Sequence, residues 1–475
     1  MNRRRFLRLS AAAAPALIHP PLAGQTVDRG ERVVIVGAGL AGLRAADVIR
    51  KTGREVVVLE ARPQPGGRVL TIRSPFDDGL HAEAGAVRIS AAHKTVLQLV
   101  REHGLTLVPF ESPTGSAIHT IGGVTLRSDE IDRAAVALDL RSDERRSSPS
   151  DLLERYVGDL PADMADPATT AGSFSRWQPY DRQTWPDWLR SRGASAGAVR
   201  LTTLGGDSSD LSALYVLRQF ALLRKWTRFY KIRGGMDLLP RAIASSLGDA
   251  VRCNAEVVRV DHASRRLRVE YLENGSLRRI EASHLILAIP FSTLRHVEMR
   301  PPFSREKAGV IENLPYFPAT RFLLQSRSRF WKESGLSGAA RTDRPAEIWD
   351  CSYDLPGTRG ILGVTVGGAI GRAVLDMSPD DCVKFGKEVA AEGFPKMHVN
   401  FEKGVAWRWA LERWSRGAFA VFRPGQMASM MPEIPRPEGR VHFAGEHTSA
   451  WIGWMEGALE SGERAAREVM NEGPA

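Results

Sequence analysis

The chain predicts an α/β fold of more than one domain, on three observations. At 475 residues it exceeds what one ordinary core organises, and 43% hydrophobic with 25% charged residues is the composition of a folded, water-soluble protein. Residues 32–60 read as strand, glycine turn, helix and second strand, the sequence form of a parallel sheet with a crossover helix. Residues 120–223 show little strand pattern, and their charge-rich helical stretches, joined by "RRSSPSD" and "ADMADPATT", predict a helical lobe.

The formal charge of +10, from 65 basic and 55 acidic residues, is scattered along the chain. Scatter favours solubility and steering over a nucleic-acid-binding stripe. Cys253, Cys351 and Cys382 are odd in number and widely spaced, which implies neither a disulfide framework nor a metal site. The opening stands apart. "NRRRFLRL" and "SAAAAPALI" form a basic region and a short, weakly apolar one, too short for a stable membrane span. Arg3, Arg4, Phe6 and Leu7 resemble a twin-arginine signal, so residues 1–25 are expected to engage export machinery that carries folded proteins to the periplasm or beyond.

In "RVVIVGAGLAGLRAADVIRKTGREVVVLE", strand 32–36 turns through Gly37, Gly39 and Gly42 into a helix, and strand 55–59 ends on Glu60. Gly37 permits the tight turn, Gly39 lets the backbone approach a pyrophosphate, and Gly42 lets helix and strand pack closely. The helix N-terminus then faces the phosphates, and Glu60 accepts hydrogen bonds from ribose hydroxyls. NAD and FAD both fit these residues.

"EARPQPGGRV" follows at once, with Gly66, Gly67 and Arg68 offering further donors and a fixed cation. Here the sequence resembles the flavin-containing amine oxidase family, whose signature E-A-R-x-x-x-G-G-R it repeats. "VHFAGEHTSAWIGWMEGALESGERAAREV", residues 441–469, is similar to that family's closing FAD segment, and "GGMDLLPRAIASSL", "NAEVVRV" and "ASHLILAIPFSTL" match between. The resemblance covers residues 32–469. It implies a Rossmann-type FAD-binding domain (amine oxidase/glutathione reductase-like fold) in segments 31–90, 231–295 and 406–475. A mixed-sheet substrate domain would occupy 91–230, with the helical lobe, and 296–405. The implied cofactor residues are Gly37, Gly39, Ala41, Gly42, Glu60, Ala61, Arg62, Gly66, Gly67, Arg68, Gly85, Ala86, Val87 and Arg88. Val257 at the adenine, Trp409, Gly445, Glu446, Gly453, Trp454 and Met455 complete the set.

Arg88, in "EAGAVRIS", reads on its own as a surface residue or a structural ion pair. Gly85 to Ile89 followed by His93 is similar to the G-P-M-R-[IF]-P and histidine of L-amino-acid oxidases, where the arginine clamps the substrate carboxylate. A guanidinium presents two parallel donors to a carboxylate, and such bonds contribute on the order of 1.5–3 kcal/mol each. By the same resemblance Trp454 and Phe419 wall the site, with ordinary core packing as the alternative for each. Ala418 stands where relatives carry a flavin-linking cysteine, which implies noncovalent FAD. Arg321 replaces the family's lysine beside the flavin, and a group that never gives up its proton is a poor relay to oxygen. Helix 215–229 would aim Gln219 and Leu223 at the substrate, with Trp349 and Gly453 nearby.

These readings lead to an FAD-dependent oxidase of L-amino acids, passing electrons to oxygen or another acceptor. Three alternatives stay open: an amine or polyamine oxidase with a structural Arg88, a flavin monooxygenase that decarboxylates an amino acid to an amide, and a flavin-binding accessory protein of low turnover. Homodimer assembly is left open.

Overall fold

The computed structural model describes residues 32–472, apart from 111–114, 131–138, 146, 159, 167–170, 205, 225–227 and 345. The expected export signal lies outside the described residues.

β1 (Val33–Val36) and β2 (Val56–Leu59) are buried along their whole length. A parallel strand covered on both faces needs a continuous apolar run, which is what their sequences supply. They sit inside a five-stranded parallel sheet in the spatial order Val251–Arg252, β2, β1, His284–Leu287, Val441–Phe443. Between them runs α1 (Leu40–Arg50), burying Leu40, Leu43, Ala45, Ala46 and Ile49. The helix Met455–Asn471 packs on α1 so closely that a Cβ on Gly462 would lie 2.1 Å from the Ala41 carbonyl oxygen. Small residues on both helices make that approach sterically open.

A second sheet of four strands, in the order Ser276–Ala282, Leu267–Glu273, Ala255–Asp261, Glu298–Arg300, adjoins the first where the Ala255 amide donates to the Glu60 carbonyl at 2.8 Å. A third, of seven strands, is mixed. Its order is Phe401–Arg408, Thr320–Ser326, Gly360–Val366, Ala346–Asp350, Leu336–Thr342, Ser116–Ile121, Val124–Arg127, with only the Leu336–Thr342/Ser116–Ile121 pairing parallel. Register sets Trp407, Arg321, Thr365, Glu347 and Arg341 in one row across five of these strands. Side chains in one such row share a face.

Helices Pro149–Val157, Trp185–Ser191, Ala196–Thr202 and Ala213–Leu223 build the lobe, three of them begun by side-chain caps from Ser148, Thr184 and Ser195. Two expectations are corrected. The 120–223 stretch opens in a hairpin, Ser116–Ile121 with Val124–Arg127, because adjacent Gly122 and Gly123 supply the positive φ its turn needs. The helix expected over 215–229 ends at Leu223, and Phe229–Ile232 is a strand between Ile89–Ser90 and Leu107–Pro109. Non-local pairing overrides the apolar periodicity there.

Candidate active site

A cavity of about 600 Å³ runs from the C-terminal end of β1 to the face of the seven-stranded sheet. At the β1 end the glycines divide the work. A Cβ on Gly42 would stand 1.9 Å from the Gly37 carbonyl oxygen, so this glycine serves helix–strand packing and does not line the cavity. Gly39 does line it, and nothing lies within 4 Å of the place its Cβ would take. That opening lies over the α1 N-terminus, whose first turn carries no acid, an arrangement that suits a pyrophosphate. Glu60 is buried beside it and accepts from the Ala38 amide at 2.7 Å and the Arg62 amide at 2.9 Å. Burial raises its carboxyl, and those two amides oppose the rise. Ala61, Arg62, Val257 and Trp414 continue the wall, with Arg62 anchored to the Gly67 carbonyl and to Glu412.

Glu446 ties the middle together. One of its oxygens accepts from Arg68 at 2.6 Å and the Ala420 amide at 3.2 Å, and the other from the Gly453 amide at 2.8 Å. The cation expected for the phosphates is therefore engaged by protein, though Arg68 still borders the cavity with Gly66, Gly67 and Gly445. Met455 opens its helix beside them. Ala418 faces the cavity, and no described cysteine lines it.

At the substrate end, residues 84–86 are strapped to the cofactor turn by amide bonds to Leu70 and Arg68, and a Cβ on Gly85 would lie 2.0 Å from the Arg68 carbonyl oxygen. Only glycine permits that contact. The chain then passes Ala86 and Val87 and projects Arg88 into the cavity. Arg88 donates no hydrogen bond to a described residue. Its neighbours are Glu347, 3.8 Å away, and the Phe229 ring at 5.5 Å.

Arg321 crosses from the sheet to the same strap, donating to Gly85 O at 2.6 Å, Glu83 O at 3.2 Å and Thr365 Oγ1 at 3.2 Å, over the Trp349 ring. Burial lowers its guanidinium to about 10, which leaves it cationic at neutral pH. Trp409 donates to Ala84 O at 2.8 Å and holds the strap from the other side.

Two aromatic side chains complete the end. Phe419 stacks on Phe317 at 5.2 Å, while Trp454 donates to Gln219 Oε1 at 2.9 Å and, like Leu223, packs against the cluster of Ala92, Leu222 and Trp451. His93 meets the Trp454 ring edgewise at 5.0 Å, and its Nδ1 accepts from the Ser90 amide. Burial pushes His93 down to about 3, so it is a neutral prop. Sequence reasoning misses Glu347, Thr365, Phe317 and Trp414. The first two face the cavity through cross-strand register, which leaves no local trace, whereas Trp414, five residues beyond Trp409, has a local cue.

A glycine cradle over a helix N-terminus, a buried acid beside it and a cavity leading on to a guanidinium suit a dinucleotide-dependent oxidoreductase with a small-molecule site. The family model for flavin containing amine oxidoreductase matches residues 40–470. An L-amino-acid oxidase of Mus musculus is 31% identical, over 93% of this chain and 71% of its own. Another from Siganus canaliculatus is 29% identical over 94% and 88%. Among solved structures, a putrescine oxidase redesigned in its cofactor binding superposes with TM-score 0.80 at 24% identity, and the cyclohexylamine oxidase of Brevibacterium oxydans IH-35A with 0.78 at 22%. Each covers 93% of this chain and 99% of that chain. The chain belongs to the flavin-containing amine oxidase family. It is an FAD-dependent oxidoreductase acting on CH–NH2 groups, with the flavin bound noncovalently.

Proposed function

We propose that the protein oxidises L-amino acids, and the observation that carries this reading is Arg88. A guanidinium in the cavity wall with no hydrogen bond from its fork to any described residue is a ready partner for a carboxylate. Held there, the α-carbon is fixed between the Trp454 and Phe419 walls, which exclude water from the amine. Bound FAD supplies the two-electron acceptor, so the neutral amine loses its Cα–H as hydride to give an imino acid, which water hydrolyses to a 2-oxo acid and ammonia while oxygen is reduced to hydrogen peroxide. Relatives named L-amino-acid oxidases at up to 31% identity support the reading. The rival, oxidation of simple amines, is supported by the names of the structural neighbours.

The test is anaerobic bleaching of the flavin by amino acids and by their decarboxylated amines, in wild type and Arg88→Ala. The expected result is reduction by amino acids and a loss of about a hundredfold or more in the variant, since about 1.4 kcal/mol is tenfold and the clamp makes two charged hydrogen bonds. Amine substrates should change little. Reduction by amines alone, or equal losses on both classes, would overturn the carboxylate role.

A further inference from the structure

Glu347 is a carboxylate in the cavity that the proposed reaction leaves unused. Its side chain is 38% exposed, toward the cavity that it lines. The strand Ala346–Asp350 holds it level with Thr365 on one side and Arg341 on the other. Two residues further along the same face, Trp349 lies against Arg321. No described residue donates a hydrogen bond to the Glu347 carboxylate, and Arg88 Nη1, its ion-pair partner at 3.8 Å, is beyond hydrogen-bonding range. Burial raises its carboxyl, but Arg88, Arg341 and Arg321 outweigh burial and hold it below the ordinary carboxylate range. It is therefore an anion whose acceptor positions are free.

We propose that Glu347 is a specificity residue that selects L-amino acids with a basic side chain, accepting hydrogen bonds from the side-chain cation while Arg88 holds the α-carboxylate. The inference rests on the carboxylate role proposed for Arg88. When a substrate carboxylate docks on Arg88 it engages that charge beside a second carboxylate, and a neutral side chain leaves only Arg341 and Arg321 to offset the repulsion. It also strips water from Glu347 without replacing its hydrogen bonds, which is costly for a charged group. A side-chain ammonium or guanidinium removes both penalties, and an acidic side chain adds to them. Discrimination here comes as much from what the site rejects as from what it holds.

L-ornithine and L-norleucine differ by an ammonium in place of a methyl, and their decarboxylated amines differ in the same way. Anaerobic stopped-flow reduction by all four, in wild type and Glu347→Gln, separates the two ideas. We expect wild type to reduce on ornithine at least about tenfold more efficiently than on norleucine, the scale of one charged hydrogen bond. In Glu347→Gln the ratio should collapse to within about threefold, through loss on ornithine together with gain on norleucine, while Glu347→Asp with full flavin content retains part of the preference. No preference in wild type would overturn the proposal. So would equal losses on both amino acids, which would make Glu347 a mere prop for Arg88. If only the amines react, the carboxylate role of Arg88 has failed, and the ratio of diamine to monoamine, with its response to Glu347→Gln, still reads Glu347 alone.

Discussion

Arg321 shows how much one residue can reveal and conceal. By the family resemblance it stands where a lysine is expected; in the structure it is also a brace, holding two carbonyls of the strap that carries Arg88. A fixed cation stabilises negative charge arriving at the flavin, which favours reduction. Relay of protons to oxygen is another matter, because a guanidinium still near 10 does not release its proton at neutral pH. We therefore expect ordinary reduction and slow reoxidation by oxygen, with a quinone or dye reacting faster. Arg321→Lys should speed reoxidation and leave reduction within a fewfold. Stopped-flow mixing of each reduced protein with oxygenated buffer checks this, and unchanged reoxidation in the variant would refute the relay argument. Arg88 and Trp454 were legible because their neighbours along the chain form a motif. Glu347 was not, because its meaning depends on a partner 259 positions away in the chain, Arg88.

At the scale of elements, the strand–turn–helix unit of β1 and α1 assigns two glycines to different work, and stability can be separated from cofactor binding there. Gly42→Ala drives a methyl into the Gly37 carbonyl at 1.9 Å, so overpacking should cost about 1–3 kcal/mol and lower the melting temperature of the flavin-free protein. At Gly39 an added Cβ meets nothing within 4 Å and φ is an ordinary −73°, so Gly39→Val should leave the melting of the flavin-free protein near wild type while emptying the site of flavin. Flavin absorbance per protein together with apoprotein melting distinguishes the two. A Gly39→Val protein with full flavin would contradict the cradle. This unit was readable because every step of it is local. Ala213–Leu223 and Phe229–Ile232 were not separable, since the second is a strand only through its partners Ile89–Ser90 and Leu107–Pro109.

For the whole molecule, buried Glu83 links stability to pH. It accepts from the Met236 amide at 3.0 Å and from Thr71 Oγ1 at 2.8 Å, and burial, the main cause, raises its carboxyl to about 7. The folded state then holds a proton that the unfolded chain has already released, between an ordinary carboxyl value of about 4.3 and the folded one. Stability from this group is complete at low pH and is lost as pH rises through that window. Glu83→Gln keeps both hydrogen bonds, with its amide donating to Thr71, and should flatten this part of the profile. Urea denaturation from pH 4 to 8 in both proteins measures the difference, and parallel profiles would rule Glu83 out. The α/β class was foreseen from the chain and the mixed sheet from the family resemblance, but the order of strands in the central sheet was not. That order depends on which distant segments meet.

Those meetings have a consequence for biosynthesis. The central sheet borrows its outer strand Val441–Phe443 and the helix Met455–Asn471, which closes over α1, from residues made hundreds of peptide bonds after β1. Contacts so remote in the chain form late and slowly. While the ribosome is still elongating, the glycine cradle and Glu60 lack the Glu446 knot and the Trp454 wall, so the site that should retain a flavin is only half built. Loading must therefore wait for translation of the closing segment, and the nascent polypeptide has to shelter an apolar, half-built sheet until then.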